Sequence, residues 1–226
     1  MPIPSYVSSS STGSVTSPLT LPVDLGSPGT NRMLVVAIST PLDYDGYPPF
    51  WTDNSTVQLG GVDMHFVISY QAFYHGKPQT ISWTQFYLLK ESDLPQGTSA
   101  DLVVTWWGNT YNAVIVGAVL LENVEQNYSF TKVVAHSTKK QDSWSNPIIY
   151  TPDALLVDAM GCYEVGGGAT PDSGQTECVD YDLNGALFMS YKEGLSSPQD
   201  MGWSWNNKHR CQTQIRAAFK YEAPTP

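Results

Sequence analysis

The sequence predicts an all-β fold, namely a single-domain antiparallel β-sandwich of jelly-roll type with about a dozen strands. The apolar run from Ala113 to Leu121 is too short to span a bilayer, and its β-branched residues favour a strand buried on both faces. Charged residues make up only 14% of the chain, whereas Gly, Pro, Ser, Thr and aromatic residues are plentiful. That composition is typical of a β-protein with many turns. No segment of ten or more residues shows a convincing helical period of 3.6 residues.

The chain of 226 residues is long enough to bury a sizeable core, and no linker interrupts it at mid-chain. We therefore expect one β-sandwich domain over 18–222, preceded by a Ser/Thr-rich segment, 1–17, and followed by a short tail, 223–226. The stretch from Ser8 to Ser17 is either a tether or the first edge strand, and composition does not decide between them.

The first strands follow from alternation and from buried runs. Leu19 to Leu25 alternates apolar and polar residues, as a half-buried strand does. A turn then leads into the buried run Met33 to Ile38, which we expect Pro41 to end. Leu42 to Ser55 fits no regular element, which makes this long loop the first candidate for function.

Regularly spaced turn signals divide the remaining chain into strands. Adjacent glycines at Gly60 and Gly61 predict a tight hairpin turn within Thr56 to Tyr70. Lys90 to Ser99 is a polar turn, and Gly166 to Gly168 is a flexible loop. The other predicted strands are Thr80 to Leu89, Asp101 to Trp107, Phe130 to Ser137, Pro147 to Tyr150, Ala154 to Tyr163, Thr176 to Tyr181, Ala186 to Tyr191, Met201 to Trp205 and Gln212 to Tyr221.

The formal charge of −10 argues against a nucleic-acid-binding surface, because neutralising phosphates requires clustered Lys and Arg. Anionic membranes and polyanionic glycans are disfavoured for the same reason, and we expect no membrane insertion. The N-terminus has neither a cationic nor an apolar signal region, so folding in the cytoplasm is expected. Acidic residues concentrate between Asp153 and Asp200. Basic residues concentrate near Lys208, Arg210, Arg216 and Lys220. The acidic and basic segments either form separate faces exposed to solvent, or they form faces that contact each other on neighbouring copies of the chain.

Three cysteines, Cys162, Cys178 and Cys211, form no CxxC pair, so neither a disulfide framework nor a zinc site is indicated. Two alternatives stay open. Cys162 and Cys178 bridge across the Gly-rich loop, or all three are reduced thiols, at least two of them packed in strands.

A series of short motifs carries a resemblance to a known module. In chain order these are NRMLVVAIS, VQLGGVDM, FYLL, GTSADLVVTW, AVIVGAVLLENVEQ, TPDALLVDAM and IRAAFKYE, covering about Ser14 to Tyr221. The series resembles a jelly-roll-like β-sandwich module that recurs in secreted bacterial proteins and in phage virion structural proteins. The loop from Asp43 to Asn54 and the region from Gly161 to Asp182 depart from that pattern. The resemblance implies display, attachment or assembly, and it supplies no catalytic residues.

A retaining glycoside hydrolase needs two carboxylates about 5 Å apart. Asp180 and Asp182 share one face of a predicted strand, whereas Glu122 and Glu125 point to opposite faces. The four histidines form no HxH or HExxH pair, and there is no GxSxG elbow. We therefore predict that the chain is not an enzyme.

Asp43, Asp45 and Asp53 lie on the irregular loop and are candidate calcium ligands, although the EF-hand spacing is absent. The other interpretation is that these residues form turns beside Gly46 and Pro48.

Aromatic residues form the second set of candidates. They would stack on sugar rings, anchor a protein interface, or fold back to cap the open end of the sandwich. Trp83 and Trp106 are expected in the core. The candidate binding residues are Tyr44, Tyr47, Phe50, Trp51, Trp144, Trp203 and Trp205.

The sequence favours a non-enzymatic virion structural protein, a capsid decoration or head-fibre protein of a tailed phage. Its expected partners are the major capsid protein or another virion protein and further copies of itself, at the virion surface after folding in the host cytoplasm. No cofactor is expected apart from calcium. The alternatives are a module of a tail or cell-surface adhesin that binds host glycans, and a glycoside hydrolase or lyase of jelly-roll type.

Overall fold

A computed structural model of the chain describes residues 4–44, 56–74, 79–106, 113–128, 133–138, 141–148, 153–163, 168–182, 185–193 and 199–221. Over these ranges every strand pairing is antiparallel, and the only helical segment is one 3₁₀ turn at Glu91–Asp93. No helix among the described residues is long and apolar enough to cross a membrane. The predicted all-β, antiparallel class is confirmed, while jelly-roll connectivity stays a prediction.

The strands are numbered in chain order. They are β1 (Ser5–Ser14), β2 (Leu19–Asp24), β3 (Met33–Tyr44), β4 (Thr56–Leu59), β5 (Val62–Asp63), β6 (His65–Tyr74), β7 (Gln79–Lys90), β8 (Ser99–Thr105), β9 (Val114–Glu122), β10 (Val133–Thr138), β11 (Gln141–Ile148), β12 (Leu155–Tyr163), β13 (Ala169–Pro171), β14 (Thr176–Asp182), β15 (Ala186–Lys192) and β16 (Gln199–Phe219).

These strands form three sheets that stack as layers. The middle sheet has the order β1-β9-β3-β7-β6, and a four-stranded sheet, β2-β8-β4-β5, packs on one of its faces. The other face packs on a seven-stranded sheet with the order β10-β16-β12-β15-β14, in which β11 and β13 also pair with β16. The sandwich therefore has one more layer than a two-sheet arrangement.

The middle sheet explains why the central run is apolar at every position. On β9, Val114, Val116 and Ala118 face the four-stranded sheet, whereas Ile115 and Val119 face the seven-stranded sheet. Strand β3 alternates in the same way, and all these side chains are buried. The prediction that Ala113 to Leu121 is buried on both faces is confirmed, because each face of its sheet meets a different layer.

Gly117 interrupts the large side chains of β9 where the seven-stranded sheet approaches. A Cβ atom at this position would lie 2.8 Å from Met189 Sδ and 3.2 Å from a methyl group of Leu187. The missing side chain thus allows the two sheets to approach closely at this point.

Strand β16 is a single strand of 21 residues, where the sequence predicted two strands separated by a turn. Its C-terminal part pairs with β10 and β12, and its N-terminal part pairs with β11 and β13. The prediction of a turn between Trp205 and Gln212 is wrong, because the backbone stays extended there, although 206–208 pair with none of the described strands and the strand partners change at this point. The N-terminal part of β16 contributes Trp203 to a buried cluster on the outer face of β12 and β15.

Two expectations near the N-terminus are now decided. The Ser-rich stretch forms β1, an edge strand of the middle sheet paired with β9. Pro41 does not end β3, which continues to Tyr44. Pairing with β9 stops at Ser39, so at Pro41 the strand pairs with β7 alone, and a proline is tolerated where a strand has a neighbour on one side only.

The cysteines on β12 and β14 are free thiols, so the bridge between Cys162 and Cys178 does not form. Cys162 is buried, and the Cys178 thiol donates a hydrogen bond to the Met189 carbonyl oxygen over 3.4 Å. Burial raises the pKa of Cys178 well above its ordinary value, which keeps this thiol protonated. The side chain of Cys211 lies outside the described residues.

Candidate functional site

A buried polar cluster lies on the outer face of the seven-stranded sheet. Its centre is Asp158 on β12, which is paired with Ser190 on β15 and with Arg216 on β16. Trp203 and Gln214, both on β16, complete the group, and each of the five side chains is at most 1% exposed. We call these five residues the Asp158 cluster.

Hydrogen bonds engage both oxygens of the Asp158 carboxylate. The Ser190 hydroxyl donates to Oδ1 over 2.6 Å. The Trp203 indole Nε1 and the Gln214 Nε2 donate to Oδ2 over 2.9 and 2.6 Å. Arg216 Nη2 in turn donates to the Gln214 Oε1, which fixes the orientation of that amide.

The cluster fastens the N-terminal part of β16 to the sheet that it covers. Gln175 Nε2 donates to the Ser190 hydroxyl oxygen over 2.7 Å, and the Gly202 amide donates to Gln175 Oε1 over 2.7 Å. Trp203 belongs to the N-terminal part of β16, which covers the sheet, while Asp158 and Ser190 belong to the strands β12 and β15 beneath it. The cluster therefore joins the N-terminal part of β16 to the outer face of β12 and β15 through polar contacts.

Burial shifts the pKa values of Asp158 and Arg216, the two ionisable groups in the cluster. Loss of solvent raises the pKa of Asp158 above its ordinary value, against the opposing effects of the Ser190, Gln214 and Trp203 hydrogen bonds and of the Arg216 charge. Burial likewise lowers the pKa of Arg216, and the Asp158 charge opposes that shift. Because its oxygens are engaged and enclosed, the carboxyl is suited to holding structure together.

A second polar contact fixes loops at one end of the layers. The Arg32 Nε and backbone amide each donate to Glu91 Oε2 over 2.8 Å, and Nη2 donates to Oε1 over 2.7 Å. Burial alone would raise the pKa of Glu91, but the hydrogen bonds and charge of Arg32 bring it below its ordinary value. This bidentate pair is an anchor for the turn after β7.

An aromatic group lies at the surface where β6 begins. Phe66 is 48% exposed and contacts the Tyr87 ring edge-on, with 5.5 Å between ring centroids. His65 stacks on Tyr128 at 4.5 Å, and the Lys90 ammonium lies 5.4 Å from the Tyr128 centroid. His65 and Phe66 are consecutive in β6, so the two ring pairs lie on opposite faces of the middle sheet at its edge. We call these five residues the β6 patch. Its partly exposed rings can contact a protein or a sugar.

Two predicted binding residues are placed in the interior. Trp203 is fully buried and Trp205 is 6% exposed, and both pack with Met160, Cys162 and Phe188. We named both rings as candidates for stacking on a partner, but neither ring is exposed. The alternate side chains of the N-terminal part of β16 pack against the sheet. Trp106 lies in the core as expected, whereas Trp83 is only partly buried.

The other predicted residues fall mainly outside the described part of the chain. Tyr47, Phe50 and Trp51 lie there entirely. For Tyr44 and Trp144 only the backbone is described, at the end of β3 and on β11 opposite Trp203.

The calcium candidates cannot be assembled from the described residues. Asp43 contributes its backbone to β3, and Asp45 and Asp53 lie outside the described residues. Within the described ranges, no group of three or more His, Cys, Asp or Glu side chains is arranged to hold a metal ion. Asp180 and Asp182 are exposed on β14.

The Asp158 cluster was missed from the sequence, although a signal exists. Asp158 is the one charged residue within the otherwise apolar run from Ala154 to Met160. A single carboxylate in a doubly buried strand must find hydrogen-bond donors, which predicts a polar cluster without naming its members.

No protein-family model matches the chain, and comparisons with curated proteins and with solved structures give no match.

Proposed function

We propose that the chain is a non-enzymatic virion structural protein, a decoration or head-fibre protein on a tailed-phage capsid. The observation that carries this proposal is the stacking of three sheets around a middle sheet that is buried on both faces. Such a scaffold resists deformation, because displacing any layer exposes apolar surface on the next one. Attachment and mechanical support are functions that this property serves.

Polar contacts between the layers support the same role. The Asp158 cluster bonds the covering part of β16 to its sheet. Between the middle and seven-stranded sheets, the Ser39 hydroxyl donates to the Ala186 carbonyl oxygen, and the Ser82 hydroxyl donates to the Gly161 carbonyl oxygen. These buried bonds fix how the sheets are placed relative to each other.

The β6 patch is the docking surface that we propose. Aromatic side chains supply much of the binding energy at protein interfaces, and Phe66 is the most exposed Phe, Tyr or Trp among the described side chains. Capsid sites are symmetric, so copies would dock in equivalent positions and act as a homo-oligomer on the lattice.

A glycan-binding module of a tail or cell-surface adhesin is the second candidate. The observation in its favour is the same patch, where the exposed Phe66 ring contacts Tyr87 and the exposed His65 stacks on Tyr128 on the opposite face of the strand. Aromatic rings at a surface stack on the apolar faces of sugars. The two candidates differ in the partner and share the site.

Co-sedimentation with capsids that lack the protein tests the proposal. We expect Phe66→Ser to weaken capsid binding about tenfold, because truncating an aromatic anchor removes more than about 1 kcal/mol. Val15→Ser is the matched control, since Val15 is 53% exposed near the opposite edge of the middle sheet. Equal binding by both variants would contradict docking at this patch. A glycan array that detects binding lost in Phe66→Ser would favour the adhesin.

A further inference from the structure

Three edge strands lie side by side along one side of the molecule, one from each sheet. Strand β1 lies between β2 and β14, and each of the three has one described strand partner. The Ser8 hydroxyl donates to the Asp24 carbonyl oxygen over 2.8 Å, and the Ser9 hydroxyl donates to the Cys178 carbonyl oxygen over 2.7 Å. These two bonds hold β1 against both outer sheets. We call β2, β1 and β14 together the edge wall.

From Ser8 to Ser14, strand β1 lacks the charged side chains, prolines and bulges that usually protect a sheet edge. Its ten residues include no charged side chain and no proline, and its one irregularity lies between Tyr6 and Ser8. The Tyr6 amide donates to Glu193 Oε1 over 3.1 Å. From Ser8 to Ser14 the strand pairs regularly with β9. Alternate residues of such a strand turn their amides and carbonyls away from the neighbour, toward any strand added at the edge.

The strands on either side of β1 carry negative charge. The edge wall contains four exposed acidic residues, Asp24, Glu177, Asp180 and Asp182, and its three strands contain no lysine or arginine. Burial and the nearby Asp180 charge raise the pKa of Glu177, which places these two carboxylates within electrostatic reach of each other. A neutral strand edge thus lies between two acidic strands.

We propose that the free edge of β1 binds an extended segment of a partner protein that carries Lys or Arg at alternate positions. Backbone hydrogen bonds to β1 supply the pairing, as in other cases of strand addition. Lys or Arg at alternate positions all lie on one face of the added strand, where they reach the acidic residues of β14. A second copy of this chain is a poor occupant, because its own edge wall carries the same acidic residues. The inference goes beyond the proposed function and does not depend on it.

Three labelled synthetic peptides test the proposal by fluorescence anisotropy. Each is long enough to span Ser8–Ser14. The first alternates Lys with Thr and Val, the second has Glu in place of Lys, and the third is the Lys peptide with alternate backbone amides methylated. We expect saturable binding of the first alone, because the second is repelled and the third cannot form the backbone bonds. Absence of binding by the Lys peptide, or equal binding by the methylated one, would overturn the proposal.

Variants of the protein locate the site. We expect the double variant Asp180→Asn with Asp182→Asn to weaken binding of the Lys peptide about fivefold, the effect of losing two exposed ion pairs. The control is Asp63→Asn, which removes one charge from the exposed strand β5 of the four-stranded sheet and leaves binding unchanged. An equal loss per charge removed in the two variants would mean that net charge alone drives binding. Dimers in sedimentation velocity that the Lys peptide dissociates would identify a second copy as the occupant. Either result would refute the inference.

Discussion

Replacing Trp203 with phenylalanine removes one donor from the Asp158 cluster and keeps an aromatic ring in the core. Trp203 is fully buried, and its Nε1 lies 2.9 Å from Asp158 Oδ2. Loss of a hydrogen bond to a charged group lowers the free energy of unfolding by about 1.5–3 kcal/mol. The smaller ring leaves a void beside Phe188, which adds about 1 kcal/mol. We therefore expect Trp203→Phe to lower the free energy of unfolding by about 3 kcal/mol.

A double-mutant cycle separates the hydrogen bond from the packing change. Asp158→Asn keeps an oxygen acceptor and removes the charge that strengthens the bond, since a charge-assisted bond is about twice as strong as a neutral one. The loss caused by Trp203→Phe should therefore be about 1 kcal/mol smaller in the Asp158→Asn background.

Urea unfolding followed by far-UV circular dichroism measures all four proteins without relying on tryptophan emission. The reasoning is refuted if the two substitutions add to within about 0.3 kcal/mol, because independent sites behave in that way. Additivity would mean that Trp203 contributes packing alone and that the cluster does not join the covering segment to the sheet.

Three further predictions concern the sheets and the loop anchor. Gly117→Val should lower the free energy of unfolding by about 1–3 kcal/mol, because the new side chain meets Met189 and Leu187, and thermal unfolding measures the loss. Ile38→Val should lower it by about 0.5–1.5 kcal/mol, whereas Val15→Ala, at an exposed position, should change it by less than about 0.5 kcal/mol in the same urea assay. The stabilisation that Glu91 adds to the free energy of unfolding should be fully present above the ordinary pKa of 4.5. It should be lost as the pH falls through the lower pKa that Glu91 has in the folded protein. Glu91→Gln should remove that acid-dependent contribution, and urea titrations across the acid range would reveal an unchanged slope if the Arg32 pair were unimportant.

Local sequence patterns predicted the strands well because each pattern reports burial directly. Strand β2 was predicted from the alternation starting at Leu19, and its burial alternates as expected. The central run predicted a strand buried on both faces. The same run gives no information on which sheets cover those faces, because strand order depends on pairings between residues far apart in the chain.

The incorrect predictions also arise because pairings between distant parts of the chain are not visible in the local sequence. The polar residues between Trp205 and Gln212 resemble a turn, and 206–208 pair with none of the described strands, yet the backbone stays extended as part of β16 and pairing resumes at His209. Trp203 and Trp205 alternate with Gly202 and Ser204, a period that indicates one buried face, whereas we named the rings as candidate binding residues and kept packing against the open end of the sandwich as the alternative. Asp158 acquires its donors from strands that follow it by more than thirty residues, so its own neighbours in sequence do not reveal the cluster.

The most direct test of the proposed function is a count of bound copies. Purified protein is mixed at increasing concentration with capsids that lack it, and the pelleted copies are counted by gel densitometry against the major capsid protein. A capsid decoration protein should saturate at a fixed ratio to that protein, because the lattice offers a set number of equivalent sites. Absence of pelleting, or binding that rises with concentration without reaching a plateau, would contradict the proposed role.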